Sequence, residues 1–398
     1  MRAFVRRAWP VLAGAALFAI GAAAVHKQVR DGNDFPLYWQ AARDLLAGRS
    51  PYDVSTGLHG YVYLPWFAWA LVPLALMPLP VAAWCWYLAN VAFIGLAGRA
   101  LLDTLRDAGL PVRGWPLALA TLPLVGLVHD NLVLGQANLL LLLLVALAVR
   151  GATGGFPLGY AAALKMQASV LMLPFVARAQ ARTLLGVALG LALAVGVPLL
   201  APGGVARFAE WRAKVIAPAA AGTLQGSKII DQSPQAALRR LLVAEPAFDD
   251  HAVNVASLDP ATFAQVSRVT SLVFLAGYAL VWWFAPARRT PRALLLDLAL
   301  GCCAMVQLSG FNLKAQFVVL LLPAWLAVSL AWERPARAQR VALVIAGALF
   351  LLSQPGLVGR TASNWMLAYS SMTLGTLVLA KVLGWQRITV GSTSRGPN

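Results

Sequence analysis

The sequence predicts an all-α integral membrane protein, a polytopic helical bundle, on three observations. Of 398 residues, 60% are hydrophobic and 12% charged, with a mean hydropathy of +0.71, too little polar surface to cover a soluble globule. Apolar runs succeed one another along the chain; measured against the ~20 residues of a spanning helix, they amount to roughly 11–13 membrane segments. The basic excess, a formal net charge of +17, is spread over short loops between those runs. That is the pattern of cytoplasmic loops, and it argues against nucleic acid as a partner.

The first apolar run, about Ala8 to Val25, follows Arg2, Arg6 and Arg7 and lacks a convincing cleavage site. It is expected as a retained helix with its N-terminus in the cytoplasm. The first outer loop, 26–61, then holds the polar stretch 31–53, DGNDFPLYWQAARDLLAGRSPYD. This reads as a short helix: Asp34 can accept free N–H groups of the first turn, Pro36 fits that turn, and Gly48 can close the helix in a left-handed conformation. Phe35, Tyr38, Trp39, Ala42, Leu45 and Leu46 recur at intervals of three and four, leaving Gln40, Arg43 and Asp44 off the apolar face. Such a helix is expected along the membrane surface. Asp34 then stands at the water boundary beside aromatic rings, either as a reactive carboxylate or only as a helix cap; spacing does not separate the two.

Residues 62–102 form two apolar runs broken by Pro78-Leu79-Pro80 and followed by Arg99, Arg106 and Arg113. If those arginines are cytoplasmic, the stretch crosses an odd number of times, most simply once with one run re-entrant or interfacial. The short runs 115–128 and 137–149 flank HDNLVLGQ, placing His129, Asp130, Asn131 and Gln136 outside, with Arg150 back inside. Segment 155–176 lies between Arg150 and the pair Arg178 and Arg182, all of which belong on one side. It is therefore expected as a hairpin of two half-length helices turning near Lys165-Met166-Gln167. A lysine in so apolar a stretch is costly unless it meets an anion or snorkels to the surface.

After 184–200 comes the long outer loop 201–266, expected to contain short helices and carrying Asp231, Gln232, Ser233, Arg239 and Arg240. Runs at 267–285, 293–310, 315–331, 341–357 and 365–384 then alternate, leaving Arg288, Arg289, Arg292, Arg334, Arg337, Arg340, Lys381 and Arg387 inside. No repeated halves and no self-standing soluble unit are evident, so 1–398 reads as a single polytopic membrane domain. Cys85, Cys302 and Cys303 lie in apolar segments and suggest neither disulfides nor a thiolate site. His26, His59, His129 and His251 lack zinc-ligand spacing. With no GxxxxGK[ST] and no strand followed by GxGxxG, a nucleotide sugar or ATP is not expected as direct donor. No cofactor is implied, and a divalent metal stays open, Asp249-Asp250 being the sole paired acids noted.

The blocks DFPLYWQAARDLLAGRSPYD, YVYLPWFAWALVPLALMPLP, LGQANLLLLLLVALAVRG, PLGYAAALKMQASVLMLPF and DQSPQAALRRLL resemble, in order, the pattern of glycosyltransferase family 87, bacterial membrane mannosyltransferases of the GT-C class. The resemblance implies a GT-C-like bundle in the bacterial inner (plasma) membrane. It implies transfer of a sugar, often mannose, from a polyprenyl-phosphate donor to a lipid or glycan acceptor on the extracytoplasmic face. It also implies a carboxylate base in the first outer loop, at Asp34. The chain departs from the pattern at SGFNLKAQFVVLLLP, where many relatives carry paired histidines and this one has Lys314 and Gln316.

The chemistry makes the same demands. Attack by an acceptor hydroxyl on a sugar phosphate needs a base for the proton and cations for the departing phosphate. Asp34 is the candidate base; Lys165, Lys314 and Arg239 or Arg240 are candidate cations. Tyr38, Trp39, Arg43, Asp130, Gln136, Asn138, Gln167, Gln232, Ser233 and Gln316 complete the expected substrate-binding set. The rival reading is a lipid-linked saccharide flippase or small-solute transporter, with Lys165 and Lys314 lining a pathway.

Overall fold

The computed structural model describes residues 18–29, 33–53, 55–56, 59–150, 154–220, 227–285, 290–333 and 336–389. The start of the first apolar run, with Arg2, Arg6 and Arg7, lies outside the described residues, as do Arg288, Arg289 and Arg334. Apart from a small ribbon pairing Ser55–Thr56 with His59–Gly60 and isolated bridges, regular structure among the described residues is helical.

The chain is an all-α polytopic membrane protein. Among the described residues, five helices are long and apolar enough to cross a bilayer: Leu79–Asp107, Gly114–Leu134, Ala181–Leu200, Pro260–Phe284 and Lys314–Glu333. The pair Arg360–Ala368 and Ser371–Thr389, bent by 59°, makes a sixth if it counts as one span. The expected roughly 11–13 membrane segments include the first apolar run, whose start lies outside the described residues, and several runs that form helices too short to span. Asn138–Val149 has 12 residues and Phe156–Leu164 has 9; at 1.5 Å per residue, 12 residues cover roughly 18 Å of a ~30 Å hydrocarbon core. Their apolarity reflects burial against other helices. The apolar window of Lys314–Glu333 is 78% buried, against 11% for Pro260–Phe284, so the former is central and the latter peripheral.

The 62–102 stretch resolves its own parity problem. Prolines start two short helices, Pro65–Ala70 and Val72–Ala75, and the 29-residue helix Leu79–Asp107 follows as the one helix of this stretch long and apolar enough to cross. The 155–176 segment is a hairpin. Helix Phe156–Leu164 ends at extended Lys165, and a 3-10 turn Met166–Met172 runs into Leu173–Ala177. Its first arm lies against Ala181–Leu200 through glycines on both helices: a Cβ on Gly159 would sit 2.4 Å from the Val187 carbonyl, and one on Gly190 2.4 Å from that of Phe156. Small residues spaced by four permit this backbone approach.

Several of the basic residues expected inside gather at one end of the bundle. Around the C-terminus of Leu79–Asp107, Arg150 meets Asp103 at 3.5 Å, and Arg292 donates to the carbonyls of Ala108 and Gly109 and to Glu333. Arg178 and Arg387 share the buried Asp297 carboxylate. At the other end of that helix, Trp39 donates to the Met77 carbonyl at 3.1 Å. Residues expected inside thus meet one another, away from Asp34. In a cysteine-free background, Asp250→Cys should react with an impermeant thiol reagent added to intact cells, and Arg106→Cys should not. Labelling at Arg106→Cys alone would invert the arrangement.

Candidate active site

Helix Asp34–Leu46 begins as expected, but its N-cap is Asn33, which has an extended backbone and makes no side-chain capping bond. Asp34 is the first helical residue, and its Oδ2 accepts from Gln136 Nε2 at 2.7 Å. A relay of amides continues from there. Asn138 Nδ2 donates to Gln136 Oε1 and to Asn131 Oδ1, both at 2.9 Å, and Asn131 Nδ2 reaches the Ala315 carbonyl at 2.8 Å.

HDNLVLGQ, expected as an outer polar loop, is instead the end of helix Val125–Leu134 and a tight turn. Asn131, Gln136 and Asn138 are buried and hydrogen-bonded to one another, with Asn138 Oδ1 left over as a buried acceptor. Gly135 closes the helix at φ +69°, and a Cβ there would lie 2.6 Å from Phe35 Cβ. The turn therefore presses on the residue next to Asp34. Trp86 Nε1 ties it down through the Gly135 carbonyl at 2.8 Å.

The 34–46 helix buries Phe35, Tyr38, Ala42 and Leu45 as its pattern predicts, and also Leu37, Ala41 and Asp44. It is covered on more than one side, by 65–75 and by Leu79–Asp107. The buried Asp44 is a correction to the one-faced pattern; it is accommodated by hydrogen bonds from Gln40 at 3.1 Å and Arg49 at 2.9 Å. Leu46 is exposed. Trp39 and the exposed Arg43 stack on each other at 4.6 Å and stand apart from the Asp34 relay.

Tyr38 and Tyr63 share a hydroxyl contact of 2.8 Å. Lys165 Nζ lies 5.9 Å from the Tyr63 ring centroid, and both Lys165 and Tyr63 are within electrostatic reach of Asp34. Burial, then the Asp34 charge, pushes the Tyr63 hydroxyl up, so it keeps its proton at neutral pH. Sequence reasoning missed Tyr63, although YVY in the second matched block was visible.

The hairpin tip also touches the segment before the central helix. Gln167 donates to Gln316 Oε1 at 3.2 Å and accepts from Ser309 Oγ at 2.6 Å. Lys314 pairs with Asp130 at 3.3 Å. Asp34, Tyr38, Asp130, Gln136, Asn138, Lys165, Gln167, Lys314 and Gln316 thus belong to one connected region.

Gln232 and Ser233 sit behind it. The Gln232 N–H donates to the Asn312 carbonyl at 2.8 Å, and Ser233 caps helix Pro234–Leu242 and donates to the Gly310 carbonyl at 3.4 Å. Asp231, named in the long outer loop but not in the expected substrate-binding set, accepts from the N–H groups of Ser233 at 2.8 Å and Asn312 at 2.9 Å. Burial raises its pKa, and these bonds and Arg240 oppose the rise. Wholly buried Arg240 donates to the carbonyls of Asp231 and Ala368 and to Ser370 Oγ; burial pulls it down to about 10, against the pull of Asp231. This bracket holds the loop that carries Lys314. Arg239 does not join the site: it grips Glu245 at 2.9 Å. Among the described residues, no three His, Cys, Asp or Glu side chains form a metal-binding group.

The model of glycosyltransferase family 87 matches residues 61–310. The chain belongs to glycosyltransferase family 87. No curated protein and no solved structure matches it. The family 87 match includes Tyr63, Asp130, Gln136, Asn138, Lys165 and Gln167, whereas Asp34, Lys314 and Gln316 fall outside it. As a member of that family the protein is a glycosyltransferase, using a sugar donor and an acceptor.

Proposed function

We propose that this glycosyltransferase moves a sugar, mannose by the family resemblance, from a polyprenyl-phosphate donor to a lipid or glycan acceptor. The reaction takes place at the extracytoplasmic face of the bacterial inner membrane, with Asp34 as general base. One observation carries the reading: a carboxylate fixed by an amide relay lies within electrostatic reach of a lysine at one end of a bundle of membrane helices. An amphiphilic donor lying in the bilayer presents its phosphate at such a depth.

In the step itself, an acceptor hydroxyl attacks the anomeric carbon, its proton passes to Asp34, and the bond from that carbon to the phosphate oxygen breaks. The electron pair leaves with the polyprenyl phosphate. Lys165 meets the charge growing on that oxygen, and Lys314, held by Asp130, adds a second cation nearby. A single displacement predicts inversion at the anomeric carbon. Gln136 holds Asp34 in place, and the Tyr38–Tyr63 pair walls the site beside Lys165.

The test is incubation of the purified protein in nanodiscs with radiolabelled polyprenyl-phosphate mannose and a membrane lipid extract. Label appearing in a new lipid or glycan product supports the proposal. Transfer from a nucleotide sugar but not from the lipid donor overturns the donor assignment, and donor crossing the bilayer without transfer selects a flippase.

A further inference from the structure

We propose that a groove at the opposite end of the bundle from Asp34 is a binding site for an anionic phospholipid, whose headgroup rests on Arg113 and Arg340 while one acyl chain fills the groove. The cavity, of ≈ 500 Å³, lies between segment 115–124, helix Lys314–Glu333 and helix Arg337–Leu352, and Arg340 is the one charged residue in its lining. That size is typical of pockets that enclose small hydrophobic molecules.

The groove has a polar mouth and an apolar far end. At the mouth, Trp115 and Trp332 meet edge to face at 4.6 Å, and Arg113 lies 5.5 Å over the Trp332 ring. At the far end the walls converge, since a Cβ on Gly347 would be 3.5 Å from Pro123 Cγ. Tryptophans flanked by arginines mark the headgroup level of a bilayer, and basic pockets between membrane helices on the cytoplasmic side bind anionic headgroups.

The charge at the mouth is not neutralised by the protein. The neighbouring carboxylate, Glu333, is taken by Arg292 at 2.8 and 2.9 Å. Among the described residues, Arg113 and Arg340 form no ion pair and both are exposed. A zwitterionic lipid fills the apolar part equally well but leaves those arginines uncompensated. The donor is a poorer fit: with its phosphate at Lys165 it has no anion for this mouth. The exclusion of the donor rests on the proposed placement of its phosphate at Lys165, which the displacement arm of the test checks separately.

The test uses the full chain, stripped of lipid in neutral detergent, with phosphatidylglycerol or phosphatidylcholine titrated in and bound lipid counted by native mass spectrometry. Two arginines at a headgroup favour the anionic lipid by about thirtyfold. Arg113→Gln combined with Arg340→Gln should abolish that preference while leaving binding of phosphatidylcholine unchanged. Because both side chains are exposed, the variant is expected to fold; Arg340→Glu, which should invert the preference, provides a second check. Equal binding of the two lipids to the parent, a preference that survives the double substitution, or displacement of phosphatidylglycerol by polyprenyl phosphate overturns the proposal.

Discussion

Asp34→Asn is expected to insert and fold like the parent and to lose at least about a hundredfold in turnover, the usual scale for a missing general base. The amide is nearly isosteric, and its oxygen can still accept from Gln136 Nε2, which reaches Asp34 at 2.7 Å in the parent. What disappears is the site for the acceptor proton. Helix capping does not account for such a loss, because the cap position belongs to Asn33, whose side chain makes no capping bond. Asn33→Ala is therefore expected to leave kcat close to that of the parent. The assay is single-turnover transfer from labelled donor, with folding checked by gel filtration and thermal unfolding. Parental rates in the Asn variant would remove Asp34 as base, and Asp130, which pairs with Lys314 at 3.3 Å, would become the next carboxylate to test.

Much of the frame is legible in the sequence because bilayer physics acts on local features. Arginine placement alone asks for an odd number of crossings in 62–102, most simply one, and is satisfied by a hairpin at 155–176; the single long helix Leu79–Asp107 and the break at Lys165 agree with both. The start of helix Asp34–Leu46 is similarly local, set by its polar opening and Pro36. The site's second layer is not local. Gln136 meets Asp34 across 102 positions and Asn131 meets the Ala315 carbonyl across 184, and no window of sequence contains both partners. Buried amides that bond to one another look like a solvated loop to any hydropathy measure, which is why HDNLVLGQ reads as one. Arg239 and Arg240 show the limit most directly: adjacent and alike in sequence, one is wholly buried among carbonyls while the other grips Glu245 near the surface.

Lys165→Gln is expected to fold and to lose roughly 10- to 100-fold in kcat/KM, the value of a charge-assisted hydrogen bond of about 1.5–3 kcal/mol. The position is unusual for a cation. Lys165 is a half-buried, extended residue at the turn of an apolar hairpin, where a charge without an anion costs about 2.5–3.5 kcal/mol on insertion scales. Asp34 supplies part of the compensation, and the Tyr63 ring, 5.9 Å from Nζ, supplies a weaker part. A donor phosphate supplies the rest and gives the lysine a reason to be held beside the base. Glutamine keeps most of the length without the charge, so both donor KM and kcat should worsen. Lys165→Arg keeps the charge with a planar fork of different reach and should recover only part of the activity. Tyr63→Phe separates the neighbours: the ring under Nζ remains, the hydroxyl shared with Tyr38 is lost, and a smaller effect than that of Lys165→Gln follows if the charge is what matters. A snorkelling lysine predicts the opposite set, with all three variants near parental kinetics. Donor KM and kcat of the Gln variant equal to the parent within error would take Lys165 out of the site and leave Lys314 as the phosphate cation.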